Sequence, residues 1–348
     1  MDAAAKPVPA RSTADTAELA AAARRARRWR SLGLAAGAAA LVAGLAVAGA
    51  LLPLATALDL RNAIGLALFA VATNLLLGYG GLVSFGQAVF YGVGAYTIML
   101  GWLHWGWSFW VGFVVGPLLA ATVALVIGVI ALRTRLLYFA LLTLAFTQLA
   151  FTLAQQQHEF TGGDNGVFGD VLPTWLADER QGYMFTLGVA AVCCFALWRI
   201  VTSPFGLTLR AIRENRDRME ALGVNVFLHE LVAFAISGFF CAVAGALFVV
   251  HTQSAYPQLL EWTKSGEPIL MAVIGGMFSF LGPAVGAFVY TLGQQELVQR
   301  TEYWKFVLGA ILLVIVLVRP DGLAGIVSSA WERLRRRRPP RAERAGSR

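Results

Sequence analysis

The chain has 348 residues, 58% hydrophobic and 14% charged, with a formal net charge of +8 and a mean hydropathy of +0.66. A water-soluble domain carries about 25% charged residues and cannot hide this much apolar surface, so a soluble class is excluded. Nucleic-acid binding is excluded as well, because the arginines gather beside apolar runs, at Arg24–Arg30, Arg199–Arg218 and Arg319–Arg341, as topology-setting charges do.

Residues 1–30 are polar and Ala-rich and end in RRARRWR. They predict a disordered basic cytoplasmic segment rather than a cleaved signal, since a full-length apolar run follows. A membrane domain then occupies 31–327, and 328–348 form a basic tail. Apolar runs predict spans at 33–52, 62–79, 85–102, 110–132, 136–156, 183–201, 231–251 and 303–318, with a split stretch at 268–279 and 281–293. The expectation is an all-α polytopic membrane protein with about eight to ten transmembrane helices.

Charge sets the orientation. RRARRWR, the loop at Arg133–Arg135, the arginine-rich 202–230 loop and Arg335–Arg338 belong inside, so both termini are cytoplasmic. The acidic 157–182 loop, with Glu159, Asp164, Asp170, Asp178 and Glu179, belongs outside. Simple crossings at every span would leave the C-terminus on the wrong side. The conflict disappears if the split stretch enters and returns, because halves of about 12 residues, near 18 Å, do not cross about 30 Å of hydrocarbon.

The split falls on GGMFSF (Gly275–Phe280), a near copy of GGLVSF (Gly80–Phe85) between the second and third spans. Gly80 and Gly81 in one copy, and Gly275, Gly276, Gly282 and Pro283 in the other, predict discontinuous helices near 78–87 and 275–283. The second break is expected partway through the membrane and the first nearer the cytoplasmic face. Both copies lead into small-residue runs, which agrees with a parallel internal repeat; chance recurrence of a short string is the alternative.

No acidic or basic side chain lies well inside a predicted span, and no phosphate loop of the form GxxxxGK[ST] occurs. Uphill transport would therefore draw its energy from another subunit. The three cysteines have no CxxC spacing and the four histidines no HxxxH pair, so no bound metal or cofactor is expected. No catalytic constellation is present either, and the chain is not expected to be an enzyme.

Neutral polar residues remain: Asn74, Ser84, Gln87, Thr143, Thr147 and Ser279 are candidates for a translocation path. The competing reading is that serines and threonines bond their own helix or a neighbour. Gly-rich Thr161–Gly169 predicts a turn at the outer mouth. Residues 207–222 predict one charged amphipathic helix capped by Gly223. Its mixed charges fit a docking partner better than a lipid surface.

NLLLGYGGLVSFGQAVFYGVGAY (Asn74–Tyr96), TGGDNGV, LRAIRENRDRMEALGVNV, MAVIGGMFSFLGPAVGAF and RPDGLAGI (Arg319–Ile326) occur in this order. Together they resemble the Liv-type permeases of branched-chain amino acid ABC importers, the M-type subunit in particular. The resemblance implies a bacterial cytoplasmic-membrane subunit and a second permease subunit, H-type or another copy. It also implies two cytoplasmic ATPases that use the ATP, and an extracytoplasmic solute-binding protein. Arg210–Gly223 would then be the coupling helix seated on an ATPase, with Arg210, Arg213, Glu214, Asn215, Ala221 and Gly223 as its contacts. Relatives that carry urea tend to have His at the position of Gln87, which favours amino acids. Urea, short amides or aromatic acids as the solute, and a passive facilitator, stay open.

Overall fold

The computed structural model describes residues 44–47, 49, 53–134 and 137–300, with a few positions between 302 and 310. The chain divides into two compact units, Met1–Leu51 and Leu52–Arg348; the second is described below. Most of the first and of the ninth predicted spans, both basic ends and the 319–326 motif lie outside the described residues.

Helix α1 (Leu54–Asn74) passes into a π-helical turn, Leu75–Gly80. Next come α2 (Gln87–Trp105), α3 (Phe109–Ala131) and α4 (Leu137–Gln156). The short α5 (His158–Thr161) and α6 (Thr174–Ala177) precede α7 (Glu179–Thr202). Then follow α8 (Pro204–Glu214), α9 (Arg216–Ala221), α10 (Val226–Thr252), α11 (Trp262–Gly275) and α12 (Gly282–Arg300). The only strands among the described residues, Val167–Phe168 and Ser254–Ala255, pair antiparallel. The chain is thus an all-α polytopic membrane protein, and five described helices are long and apolar enough to cross a membrane.

Burial sorts the helices. A helix that is apolar all round belongs inside, and α1 is enclosed along its whole apolar stretch, α10 along most of it. Helices α3, α4 and α7 bury about a third of theirs and turn rows such as Val114, Leu118, Val126 and Val192 outward. α2 and α10 approach at glycine contacts: a Cβ on Gly94 would strike the Ala242 carbonyl, and one on Gly245 the Tyr91 carbonyl. Without a hydrophobic drive between helices in lipid, such close backbone packing holds spans together. The α11–α12 pair leans on α1.

Three expectations need revision. Residues 207–222 form two helices rather than one: Asn215 leaves the helix (φ −157°, ψ 97°), and its side chain accepts the Arg218 N–H at 2.8 Å, capping α9. Gly223 does end the segment, with φ +84° and Val224 N–H reaching Met219 O at 3.1 Å. The halves flanking the second break have 14 and 19 residues, so α12 spans about 28 Å at about 1.5 Å per residue. Finally, charge does enter the helices. Arg61 is buried two turns into α1, where Nη2 donates to the Val250 and His251 carbonyls at 3.1 and 3.2 Å, closing the C-terminal end of α10. α11 begins before the predicted 268 and so contains Lys264 and Glu267. Hydropathy averaging trims the polar opening turns of a helix from a predicted span, so Arg61, Lys264 and Glu267 all fell just outside the predicted limits.

Candidate functional site: two helix breaks under one arginine

The first break is closed by side chains. The π-turn ends at Gly81, in the left-handed region at φ +70°, whose N–H and that of Leu82 both point to Leu76 O. Phe85 has lost its helical partners. Thr143 Oγ1 accepts its N–H at 3.1 Å, and Thr147 Oγ1 donates to its carbonyl at 2.7 Å. These threonines are four residues apart on α4, hence one above the other on one face. Ser84 Oγ accepts the Gly86 N–H at 3.1 Å, and Ser265 Oγ of α11 accepts that of Ala88 at 2.8 Å. Irregular backbone survives at membrane depth only where its polar groups are satisfied in this way.

The second break uses the same device. Gly276 adopts φ 103°, ψ 100°, open to glycine alone. Ser279 Oγ accepts the Gly282 N–H at 2.9 Å and donates to Gly276 O at 3.1 Å. Gly282 and Pro283 open α12, where proline's missing N–H is no loss. A Cβ on Gly275 would strike the Gly282 carbonyl, and one on Gly286 that of Met271. The glycines therefore serve close passage as well as the turn.

The breaks meet. Asn74 Nδ2 donates to Met277 O at 3.0 Å, and the Gly78 backbone abuts the same carbonyl. The second break thus lies level with the first instead of at a separate depth. Both touch α8: Arg213 Nη1 donates to Gly78 O, its guanidinium lies 4.6 Å from the centre of the Phe278 ring, and its Cγ fills the space in front of Gly81. Arg210 lies 4.7 Å over the Tyr79 ring. Leu209 and Ile212 anchor the buried side of α8.

Beside the breaks runs a fully buried polar strip. Gln87 Oε1 lies 3.2 Å from both Ser237 Oγ and Cys241 Sγ of α10, and Ser237 Oγ lies 2.8 Å from Ala72 O. Asn74 Oδ1 and Gln87 Nε2 are buried with no hydrogen-bond partner. An unused acceptor and an unused donor this deep are costly and mark the strip as unlike ordinary core.

The six candidate path residues therefore gather at the breaks, but divide by what they hold. Ser84, Thr143, Thr147 and Ser279 bond broken backbone, whereas Asn74 and Gln87 keep spare hydrogen-bonding capacity. Of the α8–α9 candidates, Arg210 and Arg213 reach the breaks, while Glu214, Asn215, Ala221 and Gly223 face outward. Sequence reasoning missed Ser237, Ser265, Lys264 and Glu267; the helical spacing of Ser237 and Cys241 was the available signal. Arg216 also went unassigned. It holds Glu230 at 2.9 Å and Glu220 at 3.1 Å, fastening α9 to the start of α10.

No solved structure matches this chain. Among curated proteins it is similar to the high-affinity branched-chain amino acid transport system permease protein LivM of Escherichia coli K12. The two are 27% identical over 277 residues, covering 72% of this chain and 65% of the relative's length. It is also similar to the probable LivM permease of Methanocaldococcus jannaschii, at 22% over 306 residues, 73% of this chain and 88% of the relative. The E. coli permease protein LivH is 23% identical over 283 residues, 74% of this chain and 91% of the relative. The model of the family described as the permease component of branched-chain amino acid transport systems matches residues 56–316, and this chain belongs to that family.

Proposed function

We propose that the chain is the membrane-spanning permease subunit of an ATP-driven importer, carrying branched-chain amino acids or a closely related small polar solute. Residues 31–327 are the permease domain and 202–230 its coupling loop. The partners are a second permease subunit, two cytoplasmic ATPases and an extracytoplasmic binding protein. It sits in a bacterial cytoplasmic membrane with both termini inside. The solute passes beside the two breaks, past Asn74 and Gln87, with Ser84, Thr143, Thr147 and Ser279 holding the breaks open.

The observation that carries this reading is the reach of Arg213 from α8 to both breaks. A facilitator with no motor has no use for an exposed charged helix pair tied to its helix breaks. The exposed side, with Glu214, Asn215, Ala221 and Gly223, meets the ATPase, and Arg210 and Arg213 pass the movement inward.

The division of labour is testable in the assembled complex reconstituted in vesicles. Ala221→Trp should abolish co-purification of the ATPase. Arg213→Ala should leave the ATPase bound and ATP turnover running while solute uptake falls at least tenfold. Undiminished uptake by Arg213→Ala, or uptake by the permease without ATP, overturns the reading.

A further inference from the structure

Helix α11 carries two opposite charges where a membrane bundle ordinarily has none. Lys264 Nζ lies 2.6 Å from Glu267 Oε2, one turn apart on the same face. Their depth follows from their neighbours. Lys264 Nζ stands 5.5 Å from the centre of the Tyr91 ring, and the adjoining Ser265 holds the first turn of α2. Tyr91 is about 21 Å along α2 from its Trp105 end at about 1.5 Å per residue. On α10 it meets Gly245, about 10 Å short of that helix's end by the same rise.

The pair is reachable, with 18% and 23% of the two side chains exposed, although Tyr91 beneath it is fully buried. Trp262 and Thr263 beside it are exposed too. A third polar group joins them. Pro268, within α11, has no N–H to give to the Lys264 carbonyl four residues back, so the helix does not use that acceptor in the ordinary way. Charges at this depth are expensive and mark the paths of substrates or ions.

We propose that Lys264 and Glu267 form a point on the translocation path that reads a zwitterion. The α-carboxylate of a passing amino acid pairs with Lys264. Its α-ammonium pairs with Glu267 and the Lys264 carbonyl. One ion pair is exchanged for two, so opening the resting pair leaves no charge uncompensated. Urea or a short amide has no formal charge to offer in return and is disfavoured. This rests on the amino acid importer reading above and extends it to the chemistry of the solute's head group.

The test uses the full complex in vesicles with leucine-loaded binding protein, comparing the unaltered chain with Lys264→Met, Glu267→Gln and the exchange Lys264→Glu/Glu267→Lys. The single variants should lose at least tenfold in leucine uptake, with complex yield and basal ATP turnover unchanged. The exchanged pair should recover part of the loss, because a zwitterion can enter reversed. Uptake within twofold of normal in both single variants overturns the inference and leaves the importer reading intact. So does a parallel loss of yield and ATP turnover, which would make the pair structural. If the unaltered complex carries a short amide but no leucine, the reading of the solute fails first and this inference with it.

Discussion

Thr143 and Thr147 do for Phe85 what the neighbouring turns do inside a helix. Each of the two bonds satisfies a backbone group that hydrocarbon would not. Thr143→Val leaves the Phe85 N–H without a partner and should cost about 1–3 kcal/mol, read as a lowered thermal unfolding midpoint of the detergent-solubilised protein. Thr143→Ser keeps the oxygen and should restore most of it. Sequence periodicity put both threonines on one face of α4 but not against a broken strand of backbone 58 residues earlier in the chain. The same holds for Ser84 and Ser279. Their place in the repeated hexapeptides was plain from the sequence, whereas their role as backbone caps needed the turn geometry.

The breaks belong to the elements that carry them. Glycine pairs and a Gly-Pro step were legible as helix ends, because their conformational freedom and missing donor are local properties. Gly276 shows how strict the requirement is, with φ 103° and ψ 100°. Gly276→Ala should cost on the order of 1–3 kcal/mol and depress uptake along with stability. Gly188→Ala on α7, where a Cβ meets open space, should leave both unchanged; a Gly276→Ala protein as stable as that control would refute the assigned strain. The α8–α9 segment was legible in composition but not in division. Asn215 is an ordinary helix residue by pattern, and only its extended backbone and its bond to Arg218 turn it into a cap.

For the molecule as a whole, burial separates a core of α1, α2 and α10 from helices that show one face to lipid. Val126 on α3 and Val192 on α7 are 65% and 69% exposed, and Leu222, between α9 and α10, is 70% exposed. The numbers are alike, but the surroundings are not. Val126→Asp and Val192→Asp should impair membrane insertion by roughly 2.5–3.5 kcal/mol each, seen as loss of membrane-integrated protein. Leu222→Asp should insert normally, since it follows the charged α9 and belongs to no apolar span. Normal insertion of all three would refute the lipid-facing assignment of α3 and α7.

Hydropathy, glycine and proline positions and the placing of arginines determined the class of this protein and where two helices break. These are properties of short windows, and a window is all that membrane insertion and local backbone strain consult. Tertiary structure alone decided that the breaks lie side by side, that Arg213 touches both, that Asn74 and Gln87 keep unspent hydrogen-bonding groups, and that the Lys264–Glu267 pair stands against the buried Tyr91 ring. Each depends on residues far apart in the chain being brought within a few ångströms, and no local pattern encodes which distant turn will supply the missing partner.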